Sequence, residues 1–196
     1  PSWEHERIID YMTAALEANI AYFRDVAGAF TGNPVTIQQY KLSRKNAFVA
    51  LANLSDALAR MLSEPRSQQK SITEMHQFVV SNHMLTSHVA TLAYYAEPAP
   101  MRYADPVWQP AVDDIATRLE NTVGLLENSL PVVRRPIAKE AWRALHERVD
   151  GNKELRPIAD QFAFIDKVAT DLGKVSGPLR VALSAQQQEV GINPLF

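Results

Sequence analysis

The chain has 196 residues and a net charge of −2, with 46% hydrophobic and 21% charged residues. Such a chain can bury a sizeable core, and its near-neutral charge gives no global field that would attract nucleic acid. It has no cysteine, which excludes disulfides, thiolate catalysis and cysteine-ligated zinc. It contains no run of 18 apolar residues that could cross a bilayer. It also starts without methionine, so we expect either a fragment of a longer protein or a processed chain.

Apolar residues recur every three or four positions along most of the chain, which is the pattern of amphipathic helices. The first predicted helix ends where glycine and proline interrupt this pattern, at TGNP (residues 31–34). A capping box, Ser71-x-x-Glu74, is expected to start the third helix, and Gly177-Pro178 is expected to stop the last one. The predicted helices are 1–30, 36–63, 72–95, 107–130, 137–149 and 154–176, with 178–196 as a weakly structured tail.

No alternation of polar and apolar residues exceeds about four positions, so no strand is predicted. We therefore expect an all-α fold in which residues 1–196 form a single domain. Short connections between long helices favour antiparallel neighbours. The predicted architecture is an antiparallel bundle of four to six helices, several of them long.

The sequence shows no pattern of catalytic residues or metal ligands. Glu74, Glu120 and Glu140 lack a histidine three residues later, the spacing that di-iron bundles use. His76 and His83 share a helix face but lie about 10.5 Å apart along the axis, too far to hold one metal ion alone. A glycine-rich phosphate loop and a nucleophile elbow are also lacking. We predict no enzymatic activity, no cofactor and no metal site.

Arg44 stands in the predicted apolar stripe of the second helix, whose other members are Tyr40, Ala47, Leu51, Leu54, Leu58 and Met61. A buried arginine must be paired, because an isolated buried charge is costly. If the first two helices fold back at TGNP, Arg44 lies opposite Tyr22, with Asn19 nearby. We therefore predict a buried polar layer of Arg44, Asn19 and Tyr22, the alternative being a guanidinium that reaches the rim of the bundle. Asn82 is expected on a different level, as a core polar residue that fixes helix register.

Charge is spread unevenly along the chain. Residues 1–30 carry five acidic and two basic residues, whereas residues 36–70 carry two acidic and six basic residues. Lys41, Arg44 and Lys45 crowd one turn and form a candidate basic patch. One interpretation pairs the second helix with the acidic first helix along exposed edges. The other is attraction to anionic lipid head groups or to an acidic ligand.

The second helix resembles a helix of a known membrane-protein family. Residues 40–65 read YKLSRKNAFVALANLSDALARMLSEP, and the family helix has the form Tyr-x-x-x-Arg-(Arg/Lys)-x-Ala, then small and apolar residues, then Glu-Pro. The matching residues are Tyr40, Arg44, Lys45, Ala47, Glu64 and Pro65. The stretch is similar to the soluble helical region of YccS-type inner-membrane proteins, in the fusaric acid resistance and aromatic acid exporter group.

Two further stretches extend this resemblance over roughly residues 1–100. The helix after it in the family resembles residues 82–95, NHMLTSHVATLAYY. The family's exit from the membrane resembles residues 1–23, PSWEHERIIDYMTAALEANIAYF, where Trp3 would suit the membrane interface.

The resemblance implies a cytoplasmic accessory or assembly domain of a multi-pass, transporter-like protein of the bacterial inner membrane. Proteins of this family are regarded as efflux components for aromatic or amphipathic acids. The implied location is the cytoplasmic side of that membrane, and the implied partner is the transmembrane part of the same chain. A second copy of the chain and anionic lipid head groups are further candidate partners, and nucleic acid is not expected.

The alternative function is a soluble bundle that senses a small amphipathic ligand or binds a partner protein. Phe78, Trp108 and Trp142 are the candidate lining of an apolar pocket for such a ligand. Large aromatic side chains are more commonly buried as ordinary core, which is the competing interpretation of all three.

Overall fold

The computed structural model describes residues 3–64, 71–129 and 139–191. These residues form six α-helices and one 3-10 turn, without a strand, so the prediction of an all-α helical bundle is confirmed. The helices are α1 (Trp3–Thr31), α2 (Ile37–Leu62), α3 (Ile72–Ala96), α4 (Gln109–Leu126), α5 (Lys139–Val149) and α6 (Arg156–Gly191), and the 3-10 turn is Pro106–Trp108.

Four of the helices enclose the core. Helix α1 packs against α3 and α4, and α6 packs against the same two helices from the opposite side. Helix α2 lies outside this group of four and packs mainly against α1 and α3, while the short α5 packs against the 3-10 turn, α4 and α6. The result is a four-helix core that carries α2 along one edge.

The direction of the helices follows from a few contacts. The Tyr22 ring of α1 meets the Tyr40 ring of α2 at 6.1 Å, and Arg60 lies over Tyr11, so α1 and α2 are antiparallel. Helix α3 runs parallel to α1, because the loop that follows it returns Asp105 to the end of α1, where its N–H donates to the Phe30 carbonyl at 3.0 Å.

Helices α4 and α6 both run in the opposite direction to α1 and α3. Phe30 near the end of α1 meets Trp108 just before α4, and Arg24 pairs with Glu120 further along α4. Trp108 stacks on Phe162 near the start of α6. The core therefore has two parallel pairs, with α2 and the segment that contains α5 as long crossovers.

The turn between α1 and α2 depends on two glycines. The Asn33 N–H donates to the Gly28 carbonyl at 2.8 Å, and a Cβ at Gly28 would lie 2.3 Å from the Asn33 oxygen. Gly32 has a φ of +86°, which is unfavourable for a residue with a side chain. Thr36 then caps α2 by accepting the Gln39 N–H at 3.1 Å.

The predicted stop at Gly177-Pro178 is wrong, because α6 continues through Pro178 to Gly191. Proline inside a helix costs about 3 kcal/mol, since a hydrogen bond is lost and its ring crowds the preceding turn. Beyond it, Leu179 and Leu183 are buried and extend the apolar stripe of Leu172. Burying two such side chains contributes about 1.5–3 kcal/mol each, which offsets the proline. The weakly structured tail from 178 is thus helical to 191, and residues 192–196 lie outside the described residues.

Two other local predictions are corrected. Ser71 has a φ of 58°, and its side chain makes no cap hydrogen bond, so the predicted capping box does not form. The fourth helix ends at Leu126 rather than at 130, because Asn128 adopts a left-handed conformation with a φ of 55°. Leu130 and the predicted helical residues 137–138 lie outside the described residues. The predicted ends of the first three helices agree within two residues.

Candidate functional site

The outer face of α2 is the side of that helix turned away from the core. Its inner side is a narrow stripe of small and apolar residues buried against the bundle: Ser43, Ala47, Leu51, Leu54, Ala57, Leu58 and Met61. On the opposite side, Ile37, Leu42, Phe48 and Val49 are 68%, 51%, 48% and 50% exposed. Four large apolar side chains are thus exposed within thirteen residues, on the side of α2 opposite its buried stripe.

The three residues of the predicted basic patch lie on this same face. Lys41, Arg44 and Lys45 are exposed and alternate in sequence with the apolar residues. No acidic residue occurs in α2 before Asp56. Among the described residues, none of the three cations forms an ion pair within 4.0 Å, and the Arg44 guanidinium rests 5.8 Å from the Phe48 ring. The face is therefore both apolar and positively charged.

The predicted layer of Arg44, Asn19 and Tyr22 is wrong. Asn19 and Tyr22 are fully buried in α1, but Arg44 is exposed on the outer face of α2. Ser43 is buried instead, and Arg44, 100° away around the helix, stands at the edge of the buried stripe with its side chain in solvent. The position of Arg44 agrees with the predicted alternative, a guanidinium that reaches the rim of the bundle. Asp10, Glu17 and Asp25 of α1 form no ion pair with α2, whereas the side chains of the other acidic residues of α1 lie outside the described part, so the predicted pairing of the two helices stays a prediction.

Asn19 instead joins α1 to α3. Its side-chain Nδ2 donates to Asn82 Oδ1 at 3.2 Å, and its Oδ1 accepts the Thr86 hydroxyl at 2.7 Å. Asn82 also donates to the Phe78 carbonyl at 3.0 Å. The prediction that Asn82 is a core polar residue is confirmed by its burial, but it shares a level with Asn19, contrary to expectation. These bonds are strong in a dry interior and align α1 with α3.

Tyr22 lies under the N-terminal half of α2. Its ring is fully buried against Tyr40, and its hydroxyl has no hydrogen-bond partner within the described part of the chain. Burial raises the pKa of Tyr22 well above its usual range, the adjacent Tyr40 adds to this, and Arg44 opposes it. Tyr22 is therefore neutral at any physiological pH and anchors α2 by packing.

The three candidate pocket residues do not line a common site. Trp108 is fully buried, stacks on Phe162 at 5.2 Å and donates its Nε1–H to the Tyr103 carbonyl. Phe78 is also fully buried, but it precedes the end of α3 by eighteen residues, about 27 Å along the helix. Trp142 is partly buried at the edge of the core and donates to Asp114 at 3.1 Å. Each ring is part of the packing at a different place.

The histidines are also dispersed. His83 contacts the Ser55 hydroxyl of α2 at 3.1 Å, and His88 contacts Gln161 and stacks on Phe164 of α6. Within residues 3–64, 71–129 and 139–191, no group of three or more histidine, aspartate or glutamate side chains is arranged to hold a metal ion. The helices in those ranges also include none that is long and apolar enough to cross a membrane.

The three cations of the α2 outer face were predicted as a patch, but its four exposed apolar residues were not. Their signal was present, because Ile37, Leu42, Phe48 and Val49 all fall outside the apolar stripe that was recognised. Comparison with known proteins adds no assignment: no family model, no curated protein and no solved structure matches this chain.

Proposed function

We propose that this chain is the cytoplasmic accessory or assembly domain of a multi-pass, transporter-like protein of the bacterial inner membrane. The observation that carries the proposal is the outer face of α2, where four large apolar side chains and three cations are exposed together. Exposed apolar groups that are concentrated on one face mark a surface that another body covers. The same helix resembles YccS-type inner-membrane proteins, and this resemblance suggests the class of protein to which the surface belongs.

The rest of the bundle suits a scaffold. Phe30, Trp108 and Phe162 pack edge-to-face and stacked within 6.3 Å of one another and close the end of the core where α1 ends. Asn19 and Asn82 hold α1 and α3 together near the middle of the bundle. A core connected in this way keeps its shape while one edge is occupied.

The alternative, a bundle that senses a small amphipathic ligand, draws no support from the aromatic residues put forward for it. Phe78 and Trp108 lie in different parts of a packed core, and the Nε1–H of Trp142 bonds to Asp114. In the proposed function, the membrane part of the protein carries out transport, and the bundle supports it from the cytoplasmic side.

The test is to express the complete gene from its own locus with an epitope tag placed directly after residue 196. We expect the tag in carbonate-washed membranes, protected from protease in intact spheroplasts and cleaved in inverted vesicles. A tagged product that stays entirely in the soluble fraction, or a tag digested from outside spheroplasts, would contradict the proposal.

A further inference from the structure

We propose that the outer face of α2 binds the surface of an anionic membrane, with the long axis of the bundle close to the membrane plane. This inference deepens the proposed function by naming the partner of one face. It rests on that function for the choice of a membrane, and on the geometry of α2 for the site.

Helix α2 lies at the edge of the bundle. Among the described residues, α2 packs mainly against α1 and α3, and the side chains on its other half are exposed. At 100° per residue, the side chains of Ile37, Lys41, Lys45 and Val49 project within about 120° of one another, opposite the buried stripe. A flat surface can therefore touch all of them at once.

The chemistry of the outer face suits an anionic membrane surface. Helices that lie in a membrane interface place apolar side chains at the acyl boundary while lysine and arginine extend toward the head groups. Phe48 and Val49 provide the former, directly beside Lys45 and Arg44. With no acidic residue before Asp56, nothing on this half of α2 would repel an anionic lipid.

A second copy of the chain is the competing occupant of this face, and the distribution of charge disfavours it. Protein interfaces have an apolar centre that is depleted in lysine, surrounded by a polar rim. Here the order is reversed. At 100° per residue, Lys41 and Lys45 project between Ile37 and Val49, whereas Leu42 and Arg44 project at the two edges, so lysines occupy the middle of the face.

The orientation follows from the length of α1. The basic patch lies near the level of Tyr22, which is nineteen residues beyond Trp3, or about 28 Å along the helix. If α1 stood upright on a membrane at its Trp3 end, the patch would be that far from the lipid. The Trp3 end of α1 and the basic patch can contact the same membrane surface only when the long axis of the bundle lies nearly parallel to it.

Vesicle sedimentation with the purified 196-residue chain tests the proposal. We expect binding to vesicles that contain about one third phosphatidylglycerol and little binding to phosphatidylcholine alone. Replacing Lys41, Arg44 and Lys45 with glutamine should weaken binding roughly 100-fold, from about fivefold per cation. A matched control, Arg143→Gln with Lys153→Gln and Lys174→Gln, makes the same change in net charge on other exposed surfaces and should bind nearly as well as the parent.

Site-specific labels test the orientation, and the lack of native cysteine makes them simple to place. An environment-sensitive dye at Ala52→Cys on α2 should shift to the blue on anionic vesicles, whereas one at Asp113→Cys on α4 should not. Equal shifts at both sites would overturn the proposal, and so would equal binding by the two triple variants. A dimer that forms without lipid and is lost in the α2 triple variant, with no vesicle binding by the parent, would identify a second copy as the occupant instead. None of these results depends on where the complete protein resides.

Discussion

The four-helix core and α2 treat their polar groups in opposite ways. In the core, Asn19 is bonded to Asn82 and Thr86. On the outer surfaces of α4 and α6, cations and carboxylates are mixed, and Arg118 contacts both Asp114 and Asp166 at 3.2 and 3.1 Å. The outer face of α2 instead combines one sign of charge with exposed apolar groups. Polar groups that are paired within the molecule stabilise the fold. Unpaired cations beside exposed apolar side chains can instead bind another molecule or a membrane.

The comparison is sharpest for two phenylalanines. Phe162 contacts Phe23, Phe30 and Trp108 in the core, whereas Phe48 is half exposed on α2. Phe162→Ala should lower the free energy of unfolding by about 3–5 kcal/mol, because it leaves a cavity. Phe48→Ala, the matched control, should change it by about 0.5 kcal/mol or less. Urea denaturation followed by circular dichroism measures both, and similar losses would show that Phe48 is structural.

Two asparagines extend the comparison to hydrogen bonds. Asn82 is fully buried and accepts from Asn19, while Asn46 is exposed on α2. Asn82→Ala should cost about 1–3 kcal/mol, since the Asn19 amide loses its side-chain acceptor. Asn46→Ala should be nearly neutral. A negligible effect of Asn82→Ala in the same urea experiment would mean that the bonds between α1 and α3 contribute nothing net.

Two aspartates, one in the four-helix core and one on α2, compare the effect of removing a charge. Asp114 lies 3.2 Å from Arg118 and is 8% exposed, whereas Asp56 is the first acidic residue of α2 and is exposed. Asp114→Asn keeps an acceptor for Trp142 but removes the ion pair, so we expect a loss of about 1 kcal/mol after allowing for the exposure of Arg118. Asp56→Asn should leave the urea midpoint unchanged. The reverse order of effects would place a structural ion pair on α2.

The smallest effect is expected at Glu17 on the exposed side of α1. Partial burial and the nearby Glu127 raise the pKa of Glu17 above 4.5. The folded protein then holds this proton more tightly than the unfolded chain, so the contribution of Glu17 to stability falls as the pH rises through that range.

Glu17→Gln should therefore raise the melting temperature slightly at pH 7 and leave it unchanged near about pH 3, where both states are protonated. Thermal melts at the two pH values provide the measurement. A lower melting temperature at pH 7 would indicate that the carboxylate has a favourable partner.

The helices themselves were predictable, because long runs of apolar spacing and the glycines of the α1–α2 turn act locally. The residue that continues the buried stripe of α2 toward its N-terminus was not. Ala47, Leu51, Leu54, Leu58 and Met61 of the predicted stripe are buried, but one turn earlier Ser43 is buried and Arg44, 100° away around the helix, is exposed. Helical spacing alone does not decide between these two neighbours, because the choice depends on the position of α1.

Tertiary packing also overrode two strong local signals. Pro178 is a helix breaker by itself, yet buried leucines on both sides keep α6 continuous. Arg44 was predicted in a polar layer with Asn19 because the two helices were expected to bring them together. Asn19 instead hydrogen-bonds to Asn82 of α3, 63 residues further along the chain. A contact so distant in sequence leaves no trace in local periodicity.

The bond between Asn19 and Asn82 has a mechanical consequence. Helices α1 and α3 run side by side in the same direction, and a slip of one turn, about 5.4 Å, would separate the two amides in an environment without water to replace them. A pull or push on the Trp3 end of α1 therefore carries α3 with it. Any movement received there would travel through the molecule as a tilt of the whole body rather than as a piston stroke of one helix.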